Sequence, residues 1–154
     1  ITMPEEFIFT EGVPNLFKQL TEKFKRIIVI TNQRGVGRGI IRYDDLLAMN
    51  QKMIDGVDKA GGSVEKIYFC TDIESSSFYR KPNPGMALQA TKDFLDTDLD
   101  KSIVVGNSLS DMKLGRYAGM YTVFITSTNK SITLPHPDID MICDSLNSFS
   151  KSLK

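Results

Sequence analysis

The strongest constraint on this chain is a repeated alternation of short apolar runs with segments of helical periodicity. Runs such as Ile27–Ile30 and Ile103–Val105 are continuously apolar, which is typical of strands buried on both faces. The segments between them place apolar residues three and four positions apart, the spacing of a helix with one buried face. This order builds a parallel sheet covered by helices. We therefore predict a single α/β domain over residues 1–154 with a mainly parallel sheet.

Prolines and glycines between the apolar runs predict where each element begins and ends. Prolines that can open helices and glycines that can end them set the boundaries. The segment from Tyr43 to Ala60 should be a helix that turns Leu46, Leu47, Met53, Ile54 and Val57 inward. The other predicted helices are Pro14 to Phe24, Pro84 through Leu95, Ser110 to Ala118 and the tail from Ser145 to Leu153. The other predicted strands are Lys66 to Cys70, Tyr121 to Ile125 and Met141 to Cys143.

Composition limits the class of ligand. Nineteen basic and nineteen acidic residues give a formal net charge of zero, which argues against a nucleic-acid partner and favours a small molecule. The apolar runs are too short to span a membrane. Cys70 and Cys143 show no CxxC spacing and His136 is the only histidine, too few ligands for a structural zinc. We expect a cytoplasmic protein, a monomer or weak dimer.

Polar side chains follow two of the predicted strands directly. Thr31-Asn32-Gln33 comes after the Ile27 strand, and Gly106-Asn107-Ser108 comes after the Ile103 strand. Ligands of open parallel sheets bind outside the carboxyl ends of strands, so these segments should share a crevice. Arg80-Lys81 adds two cations just before a helix, whose N-terminal amides attract anions. Together these features predict a phosphate pocket.

Each segment also has a purely structural interpretation. Thr31-Asn32-Gln33 is compatible with an ordinary turn, and Arg80–Gly85 with a proline-opened helix whose charges are solvated. Asn107 and Asp111 are compatible with a turn followed by an acidic residue in the first turn of a helix. They are equally compatible with a binding site for a hard metal ion. The order and placement of the three segments along the chain favour the functional interpretation.

The ordered segments TNQRGVGRG, RKPNPGM and VVGNSLSDM resemble the haloacid-dehalogenase superfamily of phosphatases. The likeness covers about Phe7 to Thr126 and is greatest to the group of D-glycero-D-manno-heptose 1,7-bisphosphate and histidinol-phosphate phosphatases. It implies a Rossmann-like three-layer fold without a large cap domain. It also implies Mg²⁺-dependent hydrolysis of a phosphate monoester, through an aspartyl-phosphate, on a small metabolite of carbohydrate metabolism such as a sugar bisphosphate.

The resemblance also implies site residues. The catalytic residues are Lys81, which neutralises phosphoryl charge, and Thr31, whose hydroxyl holds a phosphoryl oxygen. The resemblance implies that the loop beginning at Asn32 and the charged or polar residues of the other two motifs also contact the substrate. In full, the implied substrate-binding set is Thr31, Asn32, Gln33, Arg34, Arg80, Lys81 and Ser108, with Asn107 and Asp111 holding Mg²⁺.

Some of these roles are specific. Arg80 would bind a second phosphate or a sugar oxygen through its planar fork. Ser108 stands where this group often has a lysine, and Asn107 stands where an aspartate is commoner, which removes one negative charge from the metal site. The zinc loop of many heptose phosphatases has no counterpart in CTDIESSSFY, residues 70–79, which contains one cysteine.

The main departure concerns the nucleophile. Such phosphatases use an aspartate in a DxDG segment after the first strand, whereas Phe7–Gly12 offers Thr10 and Glu11 instead. We therefore expect a strand carrying the nucleophile upstream of residue 1. Two alternatives remain: a non-catalytic module of this superfamily that binds a phosphorylated ligand or a partner protein, and a phosphate-binding regulatory domain separated from another enzyme.

Overall fold

A computed structural model describes residues 13–127 and 129–153, and its chain divides into two compact units. The first unit runs through Ile73 and the second from Glu74 to Ser152. The predicted Thr10-Glu11-Gly12 segment lies outside the described residues. Within the described ranges, every helix is too short or too polar to span a bilayer.

The described part of the first unit, from Val13 onward, contains two parallel strands and three helices. The helices are α1 (Val13–Lys23), α2 (Arg34–Gly37) and α3 (Tyr43–Lys59), and the strands are β1 (Ile28–Asn32) and β2 (Lys66–Cys70). The strands pair in parallel, with Ile28 opposite Lys66 and Asn32 opposite Cys70. Val57, Val64 and Ile67 form a core against which residues of α1, β1 and α3 pack, including Phe17, Val29 and Met53.

The second unit contains a three-stranded parallel sheet in the order β3-β4-β5. Its strands are β3 (Ile103–Gly106), β4 (Tyr121–Ile125) and β5 (Met141–Cys143), and its helices are α4 (Gly85–Asp93), α5 (Leu109–Ala118) and α6 (Leu146–Ser152). Helix α5 packs on β3 and β4. Met112, Phe124 and Ile139 form the core between them and are almost fully buried.

The α/β class and the parallel pairing are confirmed. β2, β4 and β5 begin and end where the sequence predicted, and the remaining strands shift by one or two residues. Between the described strands, each connecting segment is too short to form a large cap domain. The alternation of apolar runs and helical segments therefore predicts the strands of both units, whereas the short helix α2 was not predicted.

Two predictions about the helices are wrong. Leu47 was predicted to face inward but is 41% exposed. The buried face of α3 is formed by Leu46, Met49 and Val57, and Leu47 lies at the edge of that face. Helix α4 ends at Asp93 and does not continue through Leu95, which is 89% exposed. Phe94 leaves helical geometry at φ −127°, although its N–H still bonds to the Ala90 carbonyl. The apolar spacing through Leu95 predicts one continuous helix, whereas the chain leaves the helix after Asp93.

Candidate functional site

A capping box at the start of α5 fixes the acidic residue of the third motif. The Ser108 side chain accepts a hydrogen bond from the Asp111 backbone N–H, and the Asp111 carboxylate accepts from the Ser108 N–H at 3.3 Å. The Ser108 hydroxyl also donates to Asp111 Oδ2 at 3.0 Å. This reciprocal arrangement satisfies two backbone donors that a helix start leaves open. Ser108 therefore acts as the residue that orients Asp111.

Gly106 lets Asp111 approach the end of β3. A Cβ atom at position 106 would lie 2.5 Å from the Asp111 Cβ and 2.6 Å from its Cγ. Carbon atoms in van der Waals contact are about 3.5–4.0 Å apart, so a side chain there does not fit. The glycine of the motif is required for close packing of the carboxylate against the strand.

Lys81 and Asp111 form an ion pair that is nearly shielded from water. Lys81 Nζ lies 2.5 Å from Asp111 Oδ1, and the two side chains are 12% and 11% exposed. Removing water strengthens such a charge interaction and fixes the position of the ammonium group. The structure thus brings together the predicted catalytic lysine and one of the two predicted metal ligands.

Asn83 organises the loop that carries Lys81. Its side-chain amide donates to the carbonyls of Ser75 at 3.1 Å and Ser77 at 2.7 Å, folding the loop back on itself. The Gly85 N–H donates to the Phe78 carbonyl at 3.0 Å, which closes the same loop at its other end. The Lys81–Pro82 peptide within it is cis. Sequence reasoning assigned no role to Asn83; its place between two prolines was the available signal.

Arg80 is buried, with 6% of its surface exposed. Its backbone N–H donates to the Ser77 carbonyl at 3.2 Å, within the loop that Asn83 folds. Buried arginines are uncommon in proteins unless their charge is compensated. The predicted contact of Arg80 with a second phosphate or a sugar oxygen stays a prediction.

The first motif lies in the first unit, at the end of β1. The Thr31 hydroxyl donates to the Asn32 carbonyl at 3.3 Å and accepts from Gln33 Nε2 at 3.2 Å. The Gln33 N–H donates to the Cys70 carbonyl at 2.7 Å and so extends the β1–β2 pairing. The hydroxyl is oriented but its donated bond is long, so it can turn to a phosphoryl oxygen. Arg34 begins α2, and its side chain lies outside what the structure describes.

Both predicted ligands of Mg²⁺ follow β3 in the second unit. Asp111 offers a carboxylate with lone pairs beyond those used by Lys81 and Ser108, and Asn107 has an exposed side chain that offers an amide oxygen. Among the described residues, no three His, Cys, Asp or Glu side chains cluster as a metal cage. One carboxylate and one amide suit Mg²⁺, which keeps several waters and takes further oxygens from a phosphate. The donor set therefore fits that ion.

Two segments with DxD sequences, among the described residues, lie at the wrong edge of the sheet for a nucleophile. Residues 96–100 contain two overlapping DxD sequences and precede β3, and residues 138–140 contain one and precede β5. In a parallel sheet, the residues before these strands lie at the amino edge, opposite the edge where Gly106 leads into α5. Neither segment has the strand-then-DxD placement that the resemblance requires.

Asp140 has a structural role that sequence reasoning missed. Arg116 donates to both of its carboxylate oxygens, at 3.1 and 3.3 Å, and the Thr122 N–H donates to Oδ2 at 2.9 Å. Partial burial raises the pKa of Asp140, but the hydrogen bonds and charge of Arg116 and the bonds from Thr122 outweigh it, so the pKa lies below its usual value. This network fastens the segment before β5 to α5 and β4.

Comparison with known proteins identifies the family. Residues 2–151 match the model of the family described as polynucleotide kinase 3 phosphatase. The D-glycero-alpha-D-manno-heptose-1,7-bisphosphate 7-phosphatase of Burkholderia mallei is 35% identical over 129 residues, covering 79% of this chain and 68% of the relative. The D-glycero-beta-D-manno-heptose-1,7-bisphosphate 7-phosphatase of Yersinia pestis is 28% identical over 159 residues, covering 97% and 84%.

A solved structure agrees with these relatives. The D,D-heptose 1,7-bisphosphate phosphatase of B. bronchiseptica, complexed with magnesium and phosphate, superposes with a TM-score of 0.87 at 28% identity, covering 99% of this chain and 87% of that one. The chain therefore belongs to the polynucleotide kinase 3 phosphatase family, a family of haloacid-dehalogenase-type phosphatases. Within that superfamily it falls with the heptose bisphosphate phosphatases, the group that its motifs resemble.

Proposed function

We propose that this protein hydrolyses one phosphate monoester of a sugar bisphosphate, with a heptose 1,7-bisphosphate as the first substrate to test, and that it requires Mg²⁺. The observation that carries the proposal is the shielded Lys81–Asp111 ion pair beside the capped start of α5. Its relatives from Burkholderia mallei and Yersinia pestis are named for the 7-phosphatase reaction on this sugar. The cytoplasm is the proposed compartment.

Lys81 supplies a fixed positive charge in this mechanism. As a phosphoryl group leaves its sugar oxygen, negative charge spreads over its outer oxygens, and a cation already in place stabilises that charge without reorganisation. Asp111 holds the Lys81 ammonium at 2.5 Å, and Ser108 holds Asp111 in turn. Thr31 contributes a hydroxyl hydrogen bond to a phosphoryl oxygen, while Asn32, Gln33, Arg34 and Arg80 contact the substrate.

Asn107 and Asp111 are the proposed protein ligands of Mg²⁺. When bound, the ion polarises the phosphoryl oxygens and offsets their charge. Asn107 supplies a neutral oxygen, so the pair carries one negative charge where two aspartates would carry two. We expect weaker Mg²⁺ binding than in a protein with aspartate at that position, because a hard cation gains from each ligand charge.

The proposed reaction passes through an aspartyl-phosphate. The nucleophilic aspartate attacks phosphorus, the sugar oxygen leaves with a proton from a second acid, and water then hydrolyses the acyl phosphate. Reading the coding sequence on the 5′ side of the Ile1 codon tests this step. An apolar strand ending in DxDG supports it, and a start codon directly before Ile1 favours the non-catalytic binding module.

The experiment that tests the substrate class measures phosphate release by the full-length protein on two substrates. Heptose 1,7-bisphosphate tests the proposal, and an oligonucleotide with a 3′-phosphate tests the activity in the family's description. We expect Mg²⁺-dependent release from the sugar, because the net charge of zero offers no general attraction for a polyanionic strand. Faster release from the oligonucleotide, or none from the sugar, would overturn the proposal.

A further inference from the structure

An aromatic side chain packs on the first residue of α4, in the second unit. Gly85 begins this helix and is buried. A Cβ atom at position 85 would lie 2.8 Å from Phe78 Cδ1 and 2.5 Å from the Phe78 carbonyl oxygen. Both distances are well inside van der Waals contact, so the Phe78 ring occupies the space that a side chain at position 85 would need. The glycine of the RKPNPG segment therefore permits a close approach of the chain to the start of α4.

The backbones of the same two residues close a loop that contains Lys81. The Gly85 N–H donates to the Phe78 carbonyl at 3.0 Å, and Lys81 lies between them in the chain. Inside this closure the Asn83 N–H donates to the Arg80 carbonyl at 2.9 Å, which forms a tighter turn around Lys81. The backbone of Lys81 is thus held by two successive hydrogen-bonded turns, and the Phe78 ring packs where the outer one closes.

Tyr79 forms an aromatic pair with Phe78. The two ring centroids are 5.4 Å apart and the ring planes meet at 79°, the edge-to-face arrangement in which aromatic rings attract each other. The side chains are 53% and 45% exposed, and the core of Met112, Phe124 and Ile139 includes neither of them. Because hydrophobic stabilisation follows the area removed from water, loss of the Phe78 ring should loosen this loop and leave that core intact.

The ion pair of the site joins two separate elements. Lys81 lies in the loop before α4, and Asp111 lies in the first turn of α5. Ser108 fixes Asp111 from the helix side through the capping box. Lys81 reaches the carboxylate on a flexible four-carbon stem, so the position of its ammonium depends on how firmly the loop holds its backbone. The closure of the loop is therefore as important for the pair as the capping box.

We propose that Phe78 is a positioning residue for phosphate release. Its ring, supported by Tyr79, packs on Gly85, keeps the loop closed and so holds the Lys81 ammonium beside Asp111. The proposal rests on the proposed function and gives a role to two aromatic residues that precede the RKPNPG segment. Phe78 acts through Lys81, which remains the residue that meets the phosphoryl charge.

The kinetic test is a double-variant cycle on the full-length protein with heptose 1,7-bisphosphate. Phe78→Ala should lower kcat about 10-fold with a smaller change in KM, and Phe78→Tyr, which keeps the ring, should keep the rate. In the Lys81→Ala background, Phe78→Ala should cost no further kcat, whereas a general loss of structure would multiply the two losses. Tyr117→Ala, which removes an exposed aromatic side chain of α5, is the matched control and should keep the rate. Multiplied losses, or an unchanged kcat in Phe78→Ala, would overturn the proposal.

A measurement without substrate separates this proposal from the proposed function. Acetylation by acetic anhydride, followed by mass spectrometry, should modify the shielded Lys81 more slowly than the exposed Lys92. In Phe78→Ala the acetylation rate of Lys81 should rise several-fold and that of Lys92 should not change. Phe78→Leu provides the same comparison if circular dichroism shows that the alanine variant is unfolded.

The two proposals can then fail separately. If the unaltered protein releases no phosphate but Lys81 gains reactivity in Phe78→Ala, the proposed function fails and the positioning role of Phe78 stands. If the unaltered protein releases phosphate and Phe78→Ala keeps both its kcat and the slow acetylation of Lys81, the positioning role fails and the proposed function stands.

Discussion

Replacing Gly106 with alanine tests whether the position of Asp111 controls activity. The new Cβ would lie 2.5 Å from the Asp111 Cβ, about 1 Å inside van der Waals contact. Because Asp111 Cβ is fixed to the helix backbone, a change of rotamer cannot relieve the overlap, and the start of α5 must move away from β3. Overpacking of this kind costs about 1–3 kcal/mol.

The expected result has two parts. The melting temperature should fall by about 2–12 °C, since a chain of this size loses roughly 2–4 °C per kcal/mol. The kcat for phosphate release should fall about 10-fold or more, because a displacement near 1 Å moves the ammonium of Lys81 together with Asp111. Differential scanning calorimetry and a phosphate-release assay on the same preparation measure both.

Gly119→Ala is the matched control on the same helix. Gly119 ends α5 at φ +79°, a left-handed conformation that costs a residue with a Cβ about 1–2 kcal/mol. A Cβ there would meet no atom nearer than 3.5 Å, so this variant loses stability without moving Asp111. The reasoning is refuted if Gly106→Ala keeps the melting temperature and kcat of the unaltered protein, or if Gly119→Ala loses as much activity.

Three further predictions concern the network around the site. Asp140→Asn should lower the melting temperature at pH 7, and the difference in melting temperature between the variant and the unaltered protein should shrink toward pH 3. The reason is that the pKa of Asp140 is lowered in the folded state, so the carboxylate stabilises the fold above about pH 3.9, its unfolded pKa, and this stability is lost as the pH falls through the folded pKa. A difference that does not change with pH would contradict this. Arg116→Ala should lose the same pH-dependent stability, and additive losses in the double variant would exclude the pairing. Asn83→Asp, which cannot donate to the Ser75 and Ser77 carbonyls, should lower kcat about 10-fold with a smaller change in KM, whereas a loss of stability alone would exclude a positioning role.

The sequence predicts the elements well because local patterns determine them. The pattern of the tail from Ser145 predicts a helix with Leu146, Phe149 and Leu153 facing inward, and α6 covers Leu146–Ser152 with Phe149 buried. Leu47 shows where the pattern is insufficient, because a residue beside a buried one lies 100° around the helix and its burial depends on the partner surface. Boundaries depend on local chemistry, whereas burial at the margin of a face depends on packing.

The candidate site is predicted only in part. The motifs predict that Lys81 and Asp111 belong to one phosphate site, and the structure pairs them across 30 residues of sequence. The pairing of Arg116 with Asp140 and the folding of the 75–80 loop by Asn83 carry no periodic signal, because they join residues by geometry alone. That Thr31, in the first unit, serves the same phosphate stays a prediction.

The most direct test of the central claim is kcat for phosphate release by the Lys81→Ala variant of the full-length protein, with circular dichroism to show that it is folded. The account predicts a loss of about 100-fold or more, the worth of a charge fixed beside the transition state. Lys92→Ala, at an exposed position of α4, should keep the original rate. A folded Lys81→Ala protein with unchanged turnover would contradict the claim that the Lys81–Asp111 pair acts on the phosphate.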